Sequence, residues 1–144
     1  MSSEVNMFPV TSHATCLDHA PAITPYRLTY KLRPEYLYVH CQSDAMNYVI
    51  ARQYWNEIIV MSTRIRCKRL LVDKDTLVES SMVDAFRIAS EIAVEFKSVK
   101  IAVCDRRTPL ESIEFDDLVA TNRGLNTRSF RDLATAEAWL LEGV

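Results

Sequence analysis

From Tyr26 onward the chain alternates: Tyr26, Leu28, Tyr30 and Leu32 interleave with Arg27, Thr29, Lys31 and Arg33, and Leu37, Val39 and Cys41 with Tyr36, Tyr38, His40 and Gln42. A period of two places one set on each face of a strand, and the short Pro34-Glu35 link predicts an antiparallel hairpin. The period then lengthens. Met46, Ile50, Tyr54, Ile58 and Met61 recur at helical spacing behind Asp44, which predicts a capped helix ending near Arg64. The continuous apolar runs Leu70-Leu71-Val72 and Ile101-Ala102-Val103-Cys104 read as strands covered on both faces. Between them, from Ser81 to Lys97, Met82, Ala85, Phe86, Ile88, Ala89, Ile92, Ala93 and Phe96 share a helical face, so this stretch predicts a right-handed parallel crossover. After Pro109, Glu111, Glu114, Asp116 and Asp117 open a further helix that Gly124 closes. Asn126 to Phe130 reads as the last strand, and Asp132 caps a final helix with Leu133, Ala136, Trp139 and Leu140 on one face.

The expected fold is therefore α/β: a mixed five-stranded sheet, built from an N-terminal hairpin plus parallel crossovers and flanked by helices. At 144 residues the chain has length for a single core. Residues 1–25, with Pro9, Pro21 and Pro25 and no sustained period, are expected to be a flexible arm, and 26–144 the folded domain.

Charge and composition remove several classes of function. Seventeen basic against nineteen acidic residues give a net charge of -2, which offers nucleic acid no overall attraction. Two glycines are too few for the usual phosphate-cradling loops. No apolar run exceeds four residues, against about 20 for a membrane span, so no span is expected and the chain reads as cytoplasmic. The basic stretch Arg64-Ile65-Arg66-Cys67-Lys68-Arg69 reads as a helix end meeting exposed carbonyls. Cys16, Cys41, Cys67 and Cys104 are too widely spaced for a C-x-x-C pair and are expected to be free thiols. His13, Cys16, Asp18 and His19 carry ligating atoms but have no second group spaced to close a tetrahedron, so neither a metal nor a cofactor is expected.

Leu70-Leu71-Val72-Asp73, Ile101-Ala102-Val103, Asn122-Arg123-Gly124, Phe130-Arg131-Asp132 and Ala136-x-x-Trp139-Leu140, in this order, resemble the STAS superfamily and most closely its SpoIIAA-like branch. The resemblance spans about residues 26 to 142 and implies a mixed sheet flanked by helices, with a regulatory role in docking other proteins, as a homodimer in our expectation. In the anti-sigma-factor antagonists of this superfamily a serine of a D-S-[ST]-G stretch is phosphorylated; the segment here is Glu79-Ser80-Ser81-Met82, with glutamate for the aspartate and no glycine. The grouping of the SpoIIAA-like branch with CRAL-TRIO domains also implies an apolar, lipid-like ligand.

In an open α/β sheet, functional groups gather beyond the carboxyl ends of parallel strands. That places Asp73, Asp75, Ser80, Ser81, Asp105, Arg106 and Arg107 on one rim, as a phosphoacceptor or partner-docking surface. The simpler reading of Ser80 and Ser81 is helix capping. Met46, Tyr54, Trp55, Ile58 and Met61 are expected to form an apolar ligand site or a dimer surface. Catalysis has thinner support: Asp73, Ser81, Asp105 and Arg107 form the only candidate cluster, and Asp116 and Asp117 are adjacent on a helix and so point about 100° apart.

Overall fold

The structure, a computed structural model, describes residues 5–12, 25–76 and 81–144, the first of these stretches by its backbone. Strands β1 (Val5–Ser12), β2 (Tyr26–Leu32), β3 (Leu37–Ser43), β4 (Arg69–Thr76), β5 (Lys100–Asp105) and β6 (Asn126–Phe130) lie side by side in chain order. The pairs β1–β2 and β2–β3 are antiparallel, and the pairs from β3 to β6 are parallel. The five expected strands are all present. Val5–Ser12, inside the segment read as an arm, adds a sixth strand at the edge of the hairpin. It holds Pro9, which an edge strand tolerates because one row of its N–H groups has no ladder partner.

Helices α1 (Tyr48–Arg64), α2 (Met82–Ile92), α3 (Leu110–Asn122) and α4 (Leu133–Leu140) connect and cover the strands. The sheet alternation sorts them into two layers. Leu70, Val72, Ile101 and Val103 face α1, α2 and α3, whereas Leu71 and Ala102 pack with Ala136 and Leu140 of α4 on the opposite face. None of these helices is long and apolar enough to cross a membrane.

Local chemistry accounts for most helix ends. Asp132 caps α4 by accepting from Thr135 N at 2.8 Å, and Ser81 caps α2 by accepting from Asp84 N at 3.1 Å. Gly124 has φ +91°, a conformation open to glycine, with nothing crowding the place of a Cβ, so backbone freedom rather than space selects it. Three expectations shift. Helix α1 starts at Tyr48 behind Asn47, whose side chain accepts from Ile50 N, and not behind Asp44. Helix α2 ends at Ile92 and not near Lys97, because Glu95 N and Phe96 N reach back three residues, to Ile92 and Ala93, in tight turns that drop Phe96 into the core. Phe86, expected on the inner face of α2, is exposed and lies under the Arg123 guanidinium, 4.6 Å from the ring centroid.

Helix α4 has eight residues and is the one helix on its sheet face among the described residues, so its docking rests on a few contacts, with Leu140 fully buried at their centre. Leu140→Ala is expected to cost about 2–5 kcal/mol, read as a lower urea midpoint with Trp139 emission shifting red. Val144→Ala, at an exposed residue, is expected to leave both unchanged.

Candidate functional site at the carboxyl ends of the central strands

Strand parity decides which polar groups meet. Along β4, Lys74 continues the row of Leu70 and Val72 and so turns toward the three-helix layer, whereas Asp73 and Asp75 turn the other way with Leu71. Asp105 continues the row of Ile101 and Val103 on β5 and is the register partner of Lys74. The expected single rim is thus divided between the two faces of the sheet.

On the α4 face, buried Asp73 accepts from the Tyr38 hydroxyl at 2.6 Å and from Arg106 Nη1 at 3.1 Å. Burial first, and the Asp73 carboxylate second, push the Tyr38 hydroxyl above its ordinary value. Asp75 pairs with Arg107 at 3.7 Å and with His40 at 3.8 Å. Asp73, Asp75, Arg106 and Arg107 therefore do come together. Ser81 uses its hydroxyl oxygen to cap α2, and Ser80 lies outside the described residues, as do His13, Cys16, Asp18 and His19.

On the other face, Lys74 Nζ stands 3.4 Å from Asp105 Oδ2. Asp105 Oδ1 accepts from the N–H groups of Arg107 and Thr108, both at 3.1 Å, and Oδ2 accepts from the Thr108 hydroxyl at 2.7 Å. Burial opposes the charge on Asp105, but Lys74 and these donors outweigh it and hold the carboxyl below its ordinary value. Burial likewise opposes the Lys74 ammonium, yet facing Tyr54, Asp105 and Cys41 it is held above the usual lysine range.

Behind this pair lies a cavity of about 130 Å³ between β4, β5, β6 and helices α1, α2 and α3. Its walls include Trp55, Ile88, Ala89, Ile92 and Ile113, and its polar lining Lys74, Asp105, Asp116, Asp117, Thr127 and Ser129. Asp117 accepts from Ser129 N at 3.0 Å and from the Ser129 hydroxyl at 2.8 Å. Asp116 differs: its Oδ1 is buried with no hydrogen-bond partner among the described residues. Burial lifts its pKa to about 6, with Lys74 opposing and Asp117 and Asp105 adding. The sequence reading set Asp116 and Asp117 aside as diverging neighbours, and both line the cavity. It did not single out Lys74, although strand parity from Leu70 and Val72 marks it.

The five residues expected to form a ligand site or dimer surface are all buried in this chain's core. Tyr54 and Trp55 line the cavity; Met46, Ile58 and Met61 do not. The cavity measures about 130 Å³. Cys41, Cys67 and Cys104 are free, as expected. Burial pushes the Cys41 thiol up to about 12 and the Cys104 thiol up to about 11, which removes both as nucleophiles near neutral pH.

No protein-family model and no curated protein matches the chain. Among solved structures it is similar to an uncharacterised protein of the DUF3478 family with a SpoIIAA-like fold from Shewanella loihica PV-4. The TM-score is 0.52 at 12% identity, over 85% of this chain and 98% of that one. The fold is SpoIIAA-like. Within it, the polar groups stand where parallel strands β4 and β5 end, on both faces of the sheet.

A raised carboxyl pKa means that the folded chain holds a proton the unfolded chain has released, so Asp116 lowers stability as pH rises from the ordinary carboxylate value through about 6. Asp116→Asn is therefore expected to raise stability at pH 7.5 by on the order of 1 kcal/mol, allowing for water at the cavity edge. The gain should shrink steadily as pH falls through 6 toward the ordinary aspartate value, being much smaller at pH 4; thermal melts at pH 7.5 and pH 4 check it, and a variant less stable at pH 7.5 contradicts it.

Proposed function

We propose that this SpoIIAA-like chain is a non-catalytic regulatory domain that docks an acidic segment of a protein partner on the loop between β5 and α3. The observation that carries this reading is local. The side chains of Arg106 and Arg107 are 48% and 50% exposed, and Leu110, at the start of α3, is 57% exposed. The loop bearing them is closed from inside by Asp105, whose carboxylate gathers Arg107 N, Thr108 N and the Thr108 hydroxyl, while Arg131 Nη1 donates to the Asp105 carbonyl at 3.1 Å. A loop already held in one shape loses little conformational freedom on binding. Exposed guanidinium groups beside an apolar side chain suit a carboxylate-bearing segment with an apolar anchor.

The same engagement weighs against chemistry at the rim. Asp73 and Asp105 are committed to internal partners, the Ser81 oxygen accepts a cap hydrogen bond, and the nearby thiols are protonated. A nucleophile beside a free base, the minimum for acyl or phosphoryl transfer, is absent from the named rim residues.

Arg107→Glu tests the reading. Its pairing with half-exposed Asp75 at 3.7 Å is worth under about 1 kcal/mol, so the fold should survive, whereas removing Arg106 would uncover buried Asp73. Tagged full-length protein from its own cells is expected to retain a partner at low salt that 0.5 M salt releases and that Arg107→Glu fails to retain, with an unchanged melting temperature. Equal retention of that partner by both proteins, insensitive to salt, contradicts the reading.

A further inference from the structure

The cavity beneath α2 and α3 contains an imbalance that the docking surface leaves unused. Among the described residues, each charged group lining it has a partner except one. Lys74 is answered by Asp105, and Asp117 by the N–H and hydroxyl of Ser129, but Asp116 Oδ1 is buried with no donor. The space beside it has an apolar wall of Trp55, Ile88, Ala89, Ile92 and Ile113 opposite its polar lining, and its volume is comparable to the roughly 150 Å³ of cavities that take up benzene. A hydrogen-bond donor carrying positive charge, joined to a body of about that size, would supply both missing elements.

We propose that this cavity is a binding site for a small organic cation: a protonated amine on a compact apolar body, with its ammonium donating to Asp116 Oδ1 and its body packed between Trp55, Ala89 and Ile113. The lining also fixes what is rejected. An anion would face Asp105, Asp116 and Asp117 with only the already paired Lys74 to attract it. A neutral alcohol would leave the Asp116 charge uncompensated, and a long-chain amine exceeds the space. The rings of Tyr54 and Trp55 add aromatic surface that favours a cation over a neutral isostere.

Occupancy should depend on pH. The titratable groups facing Asp116 are Lys74 from β4, Asp105 from β5, Asp117 from α3 and Tyr54 from α1; the lining side chains of α2 and β6 do not titrate. Lys74 and Tyr54 are held above their ordinary values and Asp105 below its own, so the change between pH 5 and 7.5 falls to Asp116, with Asp117 shifted in the same direction. Ionised Asp116 attracts the amine, so affinity rises with pH, by about tenfold over that interval for a group with a pKa of about 6.

Titration calorimetry and ligand-observed NMR on the full chain, with benzylamine, benzyl alcohol and benzoate as probes, test the proposal. Benzylamine is expected to bind, at least tenfold more tightly than either of the others, more tightly at pH 7.5 than at pH 5, and at least tenfold more weakly to Asp116→Asn. The comparison of three probes on the unaltered chain needs no variant to fold. No benzylamine binding at millimolar concentration, equal binding of benzyl alcohol or benzoate, or unchanged binding to Asp116→Asn overturns it.

Discussion

Lys74 and Asp105 oppose one another across two neighbouring parallel strands, 3.4 Å apart, on the face of the sheet that three helices cover. Neither charge stands alone. The ammonium sits among Tyr54, Asp105 and Cys41, and the carboxylate also closes the β5–α3 loop through Thr108 and Arg107. Removing either partner of such a pair leaves a poorly solvated charge, at a cost of about 3–5 kcal/mol when burial is complete and less here, where the Lys74 side chain is 20% exposed. The pair therefore joins the closure of the β5–α3 loop to the polar end of the cavity.

Alternation along β4 gives that constraint its reach. Because successive residues point to opposite faces, Asp73-Lys74-Asp75 delivers two acids to the α4 side and one base to the helical side. The acids organise Tyr38, His40, Arg106 and Arg107 into a network whose outer guanidinium groups meet solvent. The base neutralises Asp105 and leaves Asp116 as the unbalanced charge of the cavity. Two surfaces of different chemistry, one basic and exposed, the other acidic and set beneath the helices, thus arise from one strand end.

Where a structural feature depends on near neighbours, it is legible in the sequence. Asp132, Ser81 and Gly124 act at the helix ends where their chemistry predicts, and Asn126–Phe130 forms the last strand. The hairpin and the parallel crossovers follow from their periods in the same way. The start of α1 differs because Asp44 and Asn47 are both capping types: Ser43, whose hydroxyl donates to Pro25 O and Ala45 O, precedes a bend at Asp44, and the cap falls to Asn47. Strand β1 was missed because its pairing with β2 is interrupted between Asn6 and Thr11, which breaks the regular period. The cavity was missed for a different reason. The environment of Asp116 is set by Lys74, Asp105 and its neighbour Asp117, and that of Asp117 by Ser129 on β6, relations that no local spacing encodes. Lys74 is different, since parity counted from Val72 is a signal within the sequence that places it on the face of Leu70 and Val72.

Opposite displacement of two carboxyl groups within one small region is the most direct signature of this arrangement. Carbon-13 NMR titration of the side-chain carboxyl resonances, with Asp105 and Asp116 assigned, reads both at once. Asp105 should stay ionised to below the ordinary aspartate range and Asp116 should titrate near 6. Both groups titrating together at the ordinary aspartate value would contradict a Lys74-bound Asp105 beside an uncompensated Asp116.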